Sequence, residues 1–114
     1  MKILVLEDNE ERIKYFKEHL SEGCDLDIVK TSKEAISKLK ESLWDIAFLD
    51  HDLGDQVYQE SKEDTGFEVA QYLSSNPERM PAKVIIHSWN AQGALNMKKL
   101  LPSAIYAPFG TFSL

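Results

Sequence analysis

Cysteine is almost missing from this chain. Cys24 is the only one among 114 residues, which excludes an intramolecular disulfide and a cysteine-based zinc site. Basic residues are scarce as well. Thirteen Lys and Arg stand against 19 Asp and Glu, a formal charge of −6, and holding a nucleic-acid duplex through its phosphates requires clustered cations. Small anionic ligands stay open, because a local site can oppose the global sign. Long apolar runs are lacking too. In the opening MKILVLEDNE, five apolar residues precede the acids. That is too short for a signal peptide or a membrane span, so the expected compartment is the cytosol. No linker, repeat or low-complexity segment interrupts the sequence. With 43% hydrophobic and 28% charged residues, residues 1–114 suit a single globular domain.

Short apolar runs alternate with amphipathic stretches. Ile3-Leu4-Val5-Leu6 has the look of a strand covered on both faces. From Asn9 to about Leu20, Ile13, Phe16 and Leu20 recur at helical spacing. Leu26 to Val29 is a weaker strand. Thr31 followed by Glu34 is a capping-box pattern, with Ala35, Ile36, Leu39 and Leu43 continuing it as a helix. Ile46 to Leu49 is another buried strand, ending at Asp50. From Asp50 to Asp64 the chain is polar and without period, a long loop of the kind that often carries function. Phe67, Val69, Ala70 and Leu73 mark a third helix, closed by Ser74-Ser75-Asn76-Pro77. Val84 to Ile86 is a strand leading into His87. Ala94, Leu95, Lys98 and Leu101 form a fourth helix, ended by Pro102. Ile105-Tyr106 is a short last strand, and the tail from Pro108 shows no helix.

Five strands alternating with four helices predict an α/β fold, a doubly wound five-stranded parallel sheet, because parallel strands need helical crossovers. In such open sheets the ligand crevice lies beyond the carboxyl ends of the strands. At those ends stand Glu7-Asp8, then Asp50-His51-Asp52, then His87-Ser88, then Ala107. Carboxylates and two histidines are thus expected along one edge.

Glu7, Asp8 and Asp50 crowded together repel unless a cation lies between them, and such hard oxygen ligands suit Mg²⁺ or another divalent ion. Capping the following helix is the competing role for these acids, and for Asn9 it is the favoured one. His51 and His87, beside Asp52 and Ser88, read as an acid–base pair flanking a substrate. Ser88 and Asn90 read equally as ligands of a phosphate oxygen or as caps of the fourth helix. Thr65 and Gly66 open the third helix, so their backbone N–H groups are candidates to face an anion. Trp89, like Trp44, Phe48 and Phe67, is assigned to the core, although stacking on a base is its alternative role.

Over nearly the whole chain this pattern resembles the receiver domain of two-component signalling. Glu7-Asp8 is similar to the receiver's metal-binding acids, Asp50 to its phosphoacceptor and Ser88 to its switch hydroxyl. Two features depart from it. Ala107 stands before Pro108, where receivers carry a lysine that contacts the phosphoryl group, and the tail beyond Phe109 is too short for the usual fifth helix. A closer resemblance is to the cyclic-phosphate processing receiver-like domains, through LDHDLGD at 49–55, TGFEVAQYL at 65–73 and HSWNAQGALNM at 87–97, in that order. An insert at 56–63 lengthens the loop and reads as a lid or specificity element.

The resemblance implies a receiver architecture, flavodoxin-like and without the fifth helix. It also implies a small phosphoesterase that hydrolyses a nucleotide cyclic phosphodiester or an ADP-ribose cyclic phosphate. On that reading His51 and His87 share proton transfer and Asp52 orients His51. Glu7, Asp8 and Asp50 hold a divalent cation, while Ser88, Asn90, Thr65 and Gly66 hold the substrate phosphate. The expected partner is a small phosphorylated molecule, with no membrane and no duplex. A protein could also meet the sheet edge left bare by the missing helix. Two alternatives belong to other classes: a signalling receiver phosphorylated on Asp50, and a pseudoreceiver that only binds.

Overall fold

A computed structural model describes residues 1–20, 22–51 and 65–108. The apolar run after Met1 forms β1 (Lys2–Leu6), and α1 (Glu10–Leu20) follows it. Next come β2 (Asp25–Val29), α2 (Ser32–Glu41) and β3 (Ile46–Leu49). After the 52–64 segment, α3 (Gly66–Ser75) leads through a 3-10 turn at Pro77–Arg79 to β4 (Lys83–Ile86), α4 (Ala91–Leu100) and β5 (Ile105–Tyr106). All the strands pair in parallel, in the order β2-β1-β3-β4-β5. The doubly wound α/β expectation holds. No helix among the described residues is long and apolar enough to cross a membrane.

The strand alternation divides the core. Ile3, Val5 and Phe48 pack against Phe16 of α1, on one face of the sheet. Leu4, Leu6, Ala47, Leu49, Val84 and Ile86 pack on the other face, against Ala35 and Leu39 of α2, Val69, Ala70 and Leu73 of α3, and Ala94 and Met97 of α4. A strand's period of two forces this split, and it sets the parity of every residue just beyond a strand.

Local signals account for the helix starts. Asn9 caps α1, its Oδ1 accepting the N–H of Arg12 at 3.1 Å. Thr31 Oγ1 accepts the N–H of Glu34 at 3.1 Å, the capping contact its sequence predicts. Leu43 departs from expectation. It lies beyond the end of α2 and is 61% exposed. Trp44 closes that corner instead, buried and donating its indole N–H to the Lys38 carbonyl at 3.0 Å. The 56–63 insert and the tail beyond Pro108 lie outside the described residues.

Candidate functional site

Strand register builds the site. Leu6 pairs with Leu49, and Leu49 with Ile86. The next residue on each strand is Glu7, Asp50 and His87, so these three stand abreast. Each continues its ladder: Glu7 N–H bonds the Val29 carbonyl, Asp50 N–H the Leu6 carbonyl and His87 N–H the Leu49 carbonyl, at 2.9, 3.2 and 3.0 Å. All are buried, and a ligand atom from each lies within 4.8 Å of the others.

Glu7 is heavily solvated by protein. Its Oε2 accepts the backbone N–H groups of Asp8 at 3.0 Å and Asn9 at 3.2 Å. Its Oε1 lies 3.0 Å from His87 Nε2 and 3.5 Å from Arg12 Nη1. Burial pushes the Glu7 carboxyl up, but the His87 hydrogen bond, the Asn9 N–H and Arg12 together hold it below the usual range. Asp50 has the opposite balance. Burial and then the Glu7 charge push it up to about 8, against a weaker pull from Arg12, whose Nη1 is 3.9 Å away. Asp50 Oδ1 accepts the His51 N–H at 2.9 Å, and Ser88 also bonds its side chain. Burial and mutual repulsion thus favour a single negative charge on the pair, with Glu7 the more acidic member.

His87 is 0% exposed, with its ring edge-on to Phe16 and Phe48 at 5.3 and 6.3 Å between centroids. Burial lowers its pKa, with Glu7 opposing, so the ring is neutral. Its Nδ1 is buried without a partner. A buried N–H without an acceptor costs more than a bare lone pair, so the proton belongs on Nε2 and is donated to Glu7. The two histidines were expected to flank a substrate together. Only His51 reaches the surface, while His87 supports Glu7 from beneath.

One residue further along each strand stand Asp8, His51 and Ser88. Asp8 is half-buried and outside the close cluster, which contains His87 in its place. The half-buried His51 ring is pressed against Gly93 of α4, where an added Cβ would collide with it. Asn90 caps α4, its Oδ1 accepting the Gly93 N–H at 2.9 Å and its Nδ2 facing His51 Nδ1 at 3.5 Å. Ser88 Oγ accepts the Asn90 N–H at 3.0 Å. Asn90 is thus a cap that also touches the candidate base, and Ser88 supports that turn while bonding Asp50. Thr65 is the buried N-cap residue of α3 and makes no side-chain cap bond. Gly66 departs from its expected anion-facing role, because its N–H donates to the His51 carbonyl at 3.0 Å. Its lack of a side chain is required for packing, since a Cβ there would strike the Asp50 carbonyl. Asp52 lies outside the described residues.

Trp89 and Arg12 also differ from the sequence reading. Trp89 is 66% exposed rather than in the core, because it sits on the connection between β4 and the cap of α4. Arg12, to which the sequence assigned no role, lies with its guanidinium 4.4 Å from the centroid of that indole while reaching both buried acids. One signal could have exposed Arg12. A cation in the first turn of a helix opposes the macrodipole, so such a residue needs a partner elsewhere.

The oxygen pair of Glu7 and Asp50 fits a hard divalent cation of the Mg²⁺ or Mn²⁺ class. His87, with its Nε2 proton given to Glu7, supports that pair as the hydrogen-bonded outer partner of a ligand.

The family model described as "Cyclic-phosphate processing Receiver domain" matches residues 2–103. No curated protein matches the sequence. Among solved structures, the phosphorylated cyanobacterial phytochrome response regulator RcpA is similar with a TM-score of 0.73 and 22% identity, covering 96% of this chain and 82% of that one. The Mn²⁺-bound response regulator Rcp1 gives 0.73 and 18%, covering 94% and 79%. The response regulator TrrA from Thermotoga maritima, in complex with Mg²⁺-BeF, gives 0.69 and 22%, covering 96% and 88%. At these identities the likeness is one of fold.

Proposed function

The chain belongs to the cyclic-phosphate processing receiver domains, and from this we propose that it is a phosphoesterase opening a cyclic phosphodiester with water. The observation that carries the reading is the three-residue row Glu7–Asp50–His87 with the half-exposed His51 beside it. In the reaction, a water oxygen bonds to phosphorus, one ring P–O ester bond breaks, and the departing oxygen takes a proton to leave a monoester. His51 would move that proton, since an imidazole can both accept and donate one and its ring reaches the surface. Asn90 and the Gly93 wall fix its ring. His87 is a positioning residue acting through Glu7. Glu7 and Asp50 would hold a divalent ion, which supplies charge compensation for the phosphate. The family resemblance points to nucleotide cyclic phosphodiesters and ADP-ribose cyclic phosphate as the substrate class.

Phosphorus NMR with a panel of cyclic phosphates, with and without Mg²⁺, tests this. Conversion of a cyclic signal to a monoester is expected, and its shift identifies the broken bond. No conversion by folded protein under any divalent metal would sink the reading for those substrates.

A second reading has its own support. Asp50 directly follows β3 and is bonded by Ser88, an acceptor-and-hydroxyl arrangement on a fold shared with a phosphorylated response regulator. Ala107 before Pro108 stands against it. Labelling by acetyl phosphate that vanishes in Asp50→Asn would select this reading over hydrolysis.

A further inference from the structure

We propose that Arg12 is the resident counter-cation of the Glu7–Asp50 pair, and that a divalent ion engages the pair only by displacing the Arg12 guanidinium from it. The inference rests on the reading of those acids as a cation site.

Three observations converge on Arg12. It occupies the first turn of α1, where the helix dipole disfavours a cation, so other contacts must hold it there. Its side chain is only 18% exposed, and Nη1 lies 3.5 Å from Glu7 Oε1 and 3.9 Å from Asp50 Oδ2. Its third neighbour is Trp89, an indole that stays 66% exposed while the guanidinium lies 4.4 Å from its centroid. Planar guanidinium stacks well on such a face.

Those carboxylate distances are longer than a locked bidentate fork, for which about 2.7–2.9 Å is usual. Arg12 neutralises the acids without clamping them. A divalent ion bound to the same oxygens at about 2.1 Å would bring two positive charges within a few ångströms of the guanidinium. In this shielded place the repulsion is poorly screened. The two cations therefore compete, with Trp89 as the surface along which Arg12 is held or withdrawn. The other tryptophan, Trp44, is buried and bonded to the Lys38 carbonyl, so it supplies a constant background against which Trp89 can be read.

The test is Mg²⁺ binding by calorimetry, with tryptophan emission followed in parallel, for the wild type, Arg12→Gln, Arg12→Lys and Trp89→Phe. Arg12→Gln is expected to bind Mg²⁺ roughly tenfold more tightly, as removal of one nearby like charge predicts. Arg12→Lys keeps the charge and should fall between it and the wild type. Mg²⁺ should change wild-type emission, and that change should vanish in Trp89→Phe and in Arg12→Gln. Equal or weaker Mg²⁺ affinity in Arg12→Gln, with its fold verified by circular dichroism, would overturn the proposal. So would the absence of Mg²⁺ binding in all four proteins. The proposed hydrolysis fails separately: tightened affinity without turnover of any cyclic phosphate would refute the function and leave the competition standing.

Discussion

Two rows of residues lie side by side at the carboxyl ends of β1, β3 and β4, one position apart along the chain. Glu7, Asp50 and His87 form the first, buried and bound to one another. Asp8, His51 and Ser88 form the second, in which the first two members keep contact with solvent. Both rows are rich in groups that titrate or coordinate, yet their surroundings assign them different work. The first row stores charge where water cannot relieve it, so it gives up stability for a poised electrostatic site. The second leaves one histidine half-exposed, where the proposed substrate would meet it. A shift of one residue separates them because strand side chains alternate between faces.

The largest expected contrast comes from the two histidines. His87→Ala removes a fully buried ring packed on Phe16 and Phe48 and strips Glu7 of a donor. It should lower stability by about 3 kcal/mol in urea unfolding. His51→Ala should lower turnover of a cyclic phosphate by roughly a hundredfold, the usual scale for a general acid or base, while costing far less stability. If the two variants exchanged these phenotypes, the division of labour between the rows would be wrong.

Next in size is the pH dependence of stability. Asp50 is pushed up to about 8 in the folded protein from an ordinary 3.8, so across that interval the folded state holds a proton the unfolded state has released. Stability must therefore fall as pH rises towards 8 and level off above it. Two neighbours act in other windows. Glu7, held low, contributes only below its ordinary 4.5, and His87, also lowered, only up to its ordinary 6.5. The interval from 6.5 to 8 isolates Asp50, with a slope of at most about 1.4 kcal/mol per pH unit. Unfolding in chelator should show this decline, and Asp50→Asn should flatten it. A stability that rises over that interval would mean that Asp50 is ionised in the folded protein.

Much of this was legible in the chain. The runs Ile3–Leu6, Ile46–Leu49 and Val84–Ile86 announce buried strands, and the residues directly after them had to gather at one edge. Asp50 and His87 come straight from that rule. The choice between Glu7 with His87 and Glu7 with Asp8 does not, because it depends on which strands are neighbours and in what register. Order β2-β1-β3-β4-β5 sets Leu6 beside Leu49 and Leu49 beside Ile86, and only then is the row defined. Arg12 and Trp89 were hidden for another reason. Their contact joins α1 to the connection after β4, across most of the sequence, and no local period encodes it. Trp89 also shows that an aromatic side chain need not be buried when it has a cation to cover.

The finest contrast lies at Asn90, which serves the fold and the open row with different ends of one amide. Its Oδ1 caps α4 through the Gly93 N–H at 2.9 Å, and its Nδ2 faces His51 Nδ1 at 3.5 Å. Asn90→Ala loses both roles and should cost about 1 kcal/mol, the typical worth of a cap. Asn90→Asp separates them. A carboxylate caps as well as an amide, so stability should stay within a few tenths of a kcal/mol of the wild type. Towards His51, however, a donor has become an acceptor, and an acceptor at Nδ1 draws the ring proton there. Nitrogen NMR of the neutral ring should show the proton moving from Nε2 in the wild type to Nδ1 in Asn90→Asp. Turnover should change with the tautomer although the helix is intact. An unchanged tautomer would mean that Asn90 is a cap and nothing more.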